Sequence, residues 1–109
     1  MNIVRLKPYL RACQVMALED NDMRAIELEL IAFPEAHSVM KGLRGVRKAR
    51  IALPGRGKRG GGREAYYISL APSALFMLTA YPKNDQDDLT QVQRKAILAA
   101  IEGIRGNRK

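Results

Sequence analysis

Between Glu35 and Glu64 the chain has no acidic residue, and over its whole length it has one cysteine, Cys13, and one histidine, His37. A lone cysteine cannot close an internal disulfide, which fits a reducing, cytoplasmic setting. One His and one Cys cannot build a zinc site, and Cys13 has no second histidine to activate it as a nucleophile, so neither a metal nor another cofactor is expected. His37 reads as surface filler in a connection. No apolar run reaches the length that spans a bilayer. The first eight residues, with Asn2, Arg5, Lys7 and Pro8, also lack the apolar region of a signal peptide, so a soluble protein without a membrane partner is expected. Internal repeats are missing too.

What the chain has in abundance is positive charge. Its formal net charge is +8 over 109 residues, and nine of the 19 Lys and Arg fall in the acid-free interval: Lys41, Arg44, Arg47, Lys48, Arg50, Arg56, Lys58, Arg59 and Arg63. A merely solvated basic face is usually mixed with carboxylates, so this distribution points to a polyanionic partner. The length suits one domain, residues 1–109, with a single modest core.

Hydrophobic periodicity gives a coarse order of elements. "NIVRL" reads as a short strand and Pro8 suits the first turn of a helix running to about Leu18. One of Asp20, Asn21 and Asp22 is expected to cap a second helix in which Met23, Ile26, Leu30 and Phe33 form the apolar stripe, with Glu27 and Glu29 on other faces and Pro34 as the stop. "EAHSVMKGLRG" is a connection in which Gly42 and Gly45 permit turns. In "VRKARIAL", Ala49, Ile51 and Leu53 alternate with Lys48 and Arg50, so the cations share one face of a strand. "REAYYISL" and "ALFMLTAY", joined by "APS", read as a hairpin. Thr90 and Gln93 form a capping box, with Leu89, Ala96, Ile97, Ala100, Ile101 and Ile104 as a helix stripe. Asp85, Asp87 and Asp88 suit the start of that helix electrostatically and need no metal to explain them. The expected fold is α+β: an antiparallel sheet of three to four strands, helices packed on one face and cations on the other.

The segment "PGRGKRGGG" satisfies neither nucleotide motif that it brushes against. Gly55, Gly57 and Gly60 match G-x-G-x-x-G, but the run leads into a strand rather than a helix. Lys58 is followed by Arg59 instead of the Ser or Thr of a P-loop, and Ala52 stands where that motif needs glycine. What remains is a flexible cationic loop able to lie along a nucleic-acid backbone, since arginine forks match phosphates and glycine admits close approach. Tyr66, Tyr67 and Tyr81 are weaker candidates for stacking on bases, tyrosine in strands being commonly half core.

Two longer stretches, "GLRGVRKARIALPGRGKRGGGREAYY" and "FMLTAYPKNDQDDLTQVQRKAI", resemble the HigB branch of the RelE/ParE superfamily of bacterial toxins. There an "LRKxR" strand, a "GKGKRGG" loop, an "RxxYY" strand and an "LLTxYxKNExxDLTxxQ" run follow in this order. The resemblance covers about Glu29 to Ile104, and the joint occurrence is specific where each piece is weak. Pro82 departs from the usual alanine or glycine, Asp85 from the usual glutamate, and the C-terminal catalytic tyrosine of RelE has no counterpart.

The resemblance implies a metal-independent endoribonuclease that cuts messenger RNA on the ribosome and inhibits translation. It also implies a cognate helix-turn-helix antitoxin of the HigA kind. Carried over, the catalytic groups would be Arg63 and Lys83, assisted by Lys48 and Arg50; beside them, the basic interval, the loop and the strand tyrosines offer Arg47, Arg56, Lys58, Arg59 and Tyr67 as RNA-binding residues. The chemistry is compatible, since RNA supplies its own 2′-hydroxyl nucleophile and cations can position the phosphate and stabilise its charge. Two other readings stay open: a ParE-like gyrase poison of the same fold, and a noncatalytic RNA-binding module.

Overall fold

The structure, a computed structural model, describes residues 1–53, 57–70 and 73–106, the side chains of 57–60 excepted. In chain order these form β1 (Asn2–Arg5), α1 (Lys7–Val15), α2 (Asp20–Ala32), β2 (Arg47–Leu53), β3 (Gly57–Leu70), β4 (Ser73–Pro82) and α3 (Gln91–Gly106). The strands make one sheet in the order β1-β4-β3-β2. β2, β3 and β4 form the expected antiparallel meander. β1 pairs parallel to β4, Asn2 opposite Ala74 and Arg5 opposite Met77, so the sheet is mixed.

The α+β class is as expected, but the helices divide between the two faces. One cluster holds Tyr9, Cys13, Met23 and Leu30 of α1 and α2 against Ala49, Ile51, Tyr66 and Met77 of the sheet. The other holds Ile97 and Ile101 of α3 with Leu43 and Val46 against Ala65, Tyr67, Leu78 and Tyr81. Consecutive residues Tyr66 and Tyr67 thus enter different cores, as the two-residue pleat requires. Both β3 and β4 are too apolar to leave a face wet, and α3 covers what α1 and α2 do not.

Local signals account for most boundaries. Pro8 stands in the first turn of α1, where its missing N–H costs nothing. The helix ends in a Schellman arrangement: Leu18 N donates to Cys13 O at 2.9 Å and Ala17 N to Gln14 O at 3.1 Å, with Ala17 at φ 57° where glycine is usual. The cap of α2 is Glu19, one residue before the expected trio, and its N–H donates to Asp22 Oδ2 at 2.8 Å. Thr90 and Gln93 close the expected capping box of α3: Thr90 N donates to Gln93 Oε1 at 2.9 Å and Gln93 N to Thr90 Oγ1 at 3.1 Å.

Two side chains, one in α2 and one at its end, exchange the positions periodicity assigns them. Phe33 is 71 % exposed, because the helix stops at Ala32 and Phe33 takes non-helical angles. Glu27 is buried, because Arg5 of β1 reaches it with a two-pronged contact, Nε to Oε2 at 2.7 Å and Nη2 to Oε1 at 2.8 Å. A carboxylate held by a guanidinium fork can occupy a core position that periodicity reserves for an apolar group.

The glycine-rich segment is mostly strand. β3 begins at Gly57, paired with Leu53, and the register slips before Ile51 meets Gly62. Arg56 lies outside the described residues. The expected flexible loop therefore does not extend through Gly57–Gly62, which belong to β3.

Candidate active site

β2 and β3 fix the candidate residues through their register. Arg50 lies directly opposite Arg63, and Lys48 opposite Ala65. Residues paired across strands share a face, so Lys48, Arg50 and Arg63 all project to the α3 side. On the other flank of β3, Arg63 is opposite Tyr81 of β4. Arg50, Arg63 and Tyr81 thus form a row across three strands. Lys83 continues the ladder past Pro82, its N–H donating to Gly61 O at 3.1 Å, and it is exposed at the same end of the sheet.

Two like charges directly opposite each other destabilise a sheet unless something answers them. Among the described residues neither Arg50 nor Arg63 has a carboxylate partner. Arg50 is exposed, whereas Arg63 keeps only 9 % of its surface and donates from Nη1 to Gly62 O at 3.0 Å. Arg63 is thus far less open than the expected cationic surface implied. Gly62 is required beside it: a Cβ there would stand 2.9 Å from Tyr81 O and 3.2 Å from Ile51 Cγ1.

Tyr81 is a member of this row that the sequence offered only as a stacking candidate. It is 2 % exposed, and its hydroxyl has no hydrogen-bond partner among the described residues. Burial raises its pKa, Asp88 and Asp87 raise it further and Arg63 opposes them, so it stays an O–H donor at neutral pH. Asp88 was also underrated. Its Oδ1 accepts the Leu89 N–H at 2.8 Å, as a residue at a helix entry does, and lies 3.9 Å from Lys48 Nζ.

Other expected RNA contacts sit elsewhere. Arg47 is paired with Tyr66 and so belongs to the opposite face, where its Nη1 donates to His37 O at 2.6 Å and Glu35 O at 3.1 Å. It clamps the connection after α2 instead of joining the strand cations, and the carbonyl of His37 takes part in that clamp. Tyr67 is 8 % exposed in the α3 core, with no open ring face for a base. The side chains of Lys58 and Arg59 lie outside the described part, as does Arg56. Among the described residues, no group of three or more His, Cys, Asp and Glu is placed to hold a metal ion, and no helix is long and apolar enough to cross a membrane.

Together these features define a small basic α+β protein with unanswered cations gathered on one sheet face, a surface receptive to anions. Residues 1–105 match the family model described as the RelE toxin of the RelE/RelB toxin–antitoxin system, and the chain belongs to that family. Its fold is similar to a solved structure of E. coli toxin RelE in the free state, a mutant with two arginines changed to alanine. The TM-score is 0.58 and the identity 13 %, over 92 % of this chain and 96 % of that one. At that identity the likeness concerns the fold.

Proposed function

We propose that this chain is a single-domain, HigB-like toxin that cleaves messenger RNA on translating ribosomes in the cytoplasm. It is restrained by a cognate helix-turn-helix antitoxin. The observation that carries the reading is the opposition of Arg50 and Arg63 with no carboxylate among the described residues to answer them. A phosphodiester supplies the missing charge, and a guanidinium can grip two of its oxygens at once.

In this mechanism the 2′-oxygen of the substrate attacks the adjacent phosphorus, a new P–O2′ bond forms and the P–O5′ bond breaks. The 2′-hydroxyl gives up its proton and the departing 5′-oxygen gains one. Arg63 and Arg50 hold the phosphate and stabilise charge on its oxygens as the transition state develops. Lys83 approaches from the end of β4, and Lys48 from the neighbouring position of β2. Tyr81, buried opposite Arg63 on β4, backs that arginine from behind rather than meeting the phosphate itself. The cations carry the charge stabilisation without a metal ion, so a chelator leaves the rate unchanged.

The test is to induce the protein in a bacterium and map new RNA 5′ ends together with DNA double-strand breaks. Cuts confined to translated messages support the reading. Breaks in DNA with intact messages would replace it with gyrase poisoning.

A further inference from the structure

We propose that the cleft between residues 38–41, β2 and the start of α3 binds one nucleotide of single-stranded RNA next to the phosphate on Arg50 and Arg63, and reads its base through Asp88. This rests on the endonuclease reading for its biological setting. The evidence for the cleft is separate from the arginine row.

The cleft has a volume of about 420 Å³, roomy enough for a single nucleotide. Its walls are tied in place on both sides. Lys48 N donates to Ser38 O at 3.0 Å, joining residues 38–41 to β2, and Arg94 Nη2 donates to Lys41 O at 2.8 Å, joining them to α3. A pocket with fixed walls loses little freedom when it is filled, which favours binding.

Three cations, Lys41, Lys48 and Arg94, line the cleft against one carboxylate, Asp88. The Lys48–Asp88 contact is long at 3.9 Å, and its side chains are 36 % and 57 % exposed. Such a pair is weak and exchanges readily for a ligand. A phosphate fits the cationic side. Val39, 54 % exposed at the rim, offers an apolar edge for a base.

Asp88 gives the site discrimination as well as charge. Its Oδ1 is engaged by the Leu89 N–H, while Oδ2 has no hydrogen-bond partner among the described residues. An acceptor in a cleft favours a base that presents an amino group, as cytosine does at N4, and disfavours uracil, whose O4 would face it acceptor to acceptor. A carboxylate among the cations also argues against an acidic peptide as occupant.

Position links the cleft to the reaction. Lys48 lines it, and Arg50 follows two residues later on the same strand face, roughly 7 Å away by strand rise. That step suits neighbouring phosphates of one extended strand.

The experiment titrates the free, isotopically labelled protein at low salt with cytidine 5′-monophosphate and with uridine 5′-monophosphate, following backbone amide resonances. Shifts are expected at Ser38–Lys41, Lys48, Asp88 and Arg94, with the cytidine nucleotide bound about tenfold more tightly, the scale of one good base contact. Asp88→Asn keeps the Oδ1 acceptor for Leu89 and should bring the two affinities to within about twofold, while Lys41→Ala should weaken both equally. In cleavage maps of translated messages, uridine should be depleted by a similar factor at one position flanking the cut, and Asp88→Asn should restore it. Shifts at other residues, equal affinities in the unaltered protein, or a preference that survives Asp88→Asn would overturn the assignment. Nucleotide binding in the cleft without any cleavage of messages would remove the nuclease reading and leave the site. Cleavage without such binding would remove the site and leave the nuclease.

Discussion

Arg63 and Glu64 adjoin in the chain, yet the pleat of β3 sends the arginine toward α3 and the glutamate under α1 and α2, within electrostatic reach of Tyr9, Cys13 and Glu27. The two faces then treat charge in opposite ways. Under α1 and α2, Arg5 is consumed by Glu27 and Asp20, and Glu64, 1 % exposed with Oε2 unpartnered among the described residues, has a pKa raised well above the usual carboxylate range. Burial is the main cause, with Glu27 and Glu29 adding to it. On the α3 side, Arg50 and Arg63 oppose each other with no carboxylate partner among the described residues. Charge that is settled internally serves the fold, whereas charge left unanswered is available to a ligand.

The comparison can be broken most severely on the settled side. Glu27→Ala leaves the Arg5 guanidinium without its fork in a half-buried position. Removing one partner of a fully buried pair costs about 3–5 kcal/mol. Arg5 is a quarter exposed and keeps Asp20, so about 2–3 kcal/mol is expected after allowing for solvent screening. Urea unfolding measures it.

Gly62→Ala probes the seam between the faces. Its Cβ would meet the Tyr81 carbonyl at 2.9 Å, so β3 and β4 must part locally, at a cost of about 1–3 kcal/mol. Because Arg63 and Tyr81 pair at this point, the loss of cleavage should exceed what the loss of stability explains, measured on protein shown by circular dichroism to be folded.

A third test of the comparison is one of pH. A carboxyl whose folded pKa lies above its unfolded value contributes stability that is complete below the unfolded pKa, near 4.3–4.5. That contribution falls by about 1.4 kcal/mol per pH unit until the folded pKa is passed. Glu64→Gln should remove this decline and be more stable than the unaltered protein at pH 8. Tyr9, Cys13, Tyr66, Glu27 and Glu29 lie within electrostatic reach of the group, and of these Tyr9, Cys13 and Tyr66 also have pKa values raised by burial. Parallel stability curves for the two proteins from pH 4 to 8 would show that Glu64 does not take up a proton on folding.

Much of this contrast was legible in the sequence. The alternation of Lys48 and Arg50 with Ala49, Ile51 and Leu53 set the cation face of β2, and the hairpin and the Thr90–Gln93 box fell where local chemistry put them. What was not legible depended on contacts distant in the chain. Glu27 became a core residue only because Arg5, 22 positions earlier, answers it, and no helical period contains that information. α3 could pair with either face by its own stripe, and the choice was made by a sheet apolar on both sides. Arg47 and Tyr67 looked like ligand-binding residues by type, but register turned the first to the opposite face and packing closed the second. Tyr81 and Asp88 were underrated for the converse reason: their roles arise from Arg63 and Lys48 on other strands.

The central claim is that the unanswered cations of the α3 face do the chemistry. It is tested most directly by single-turnover cleavage of a ribosome-bound message by folded Arg63→Ala and Lys83→Ala variants, with ribosome binding measured in parallel. The account predicts a rate at least about a hundredfold lower for Arg63→Ala, the scale for one preorganised charge-stabilising donor, a clear loss for Lys83→Ala, and much smaller changes in binding. Near-normal cleavage by both variants would contradict it and leave the face a docking surface.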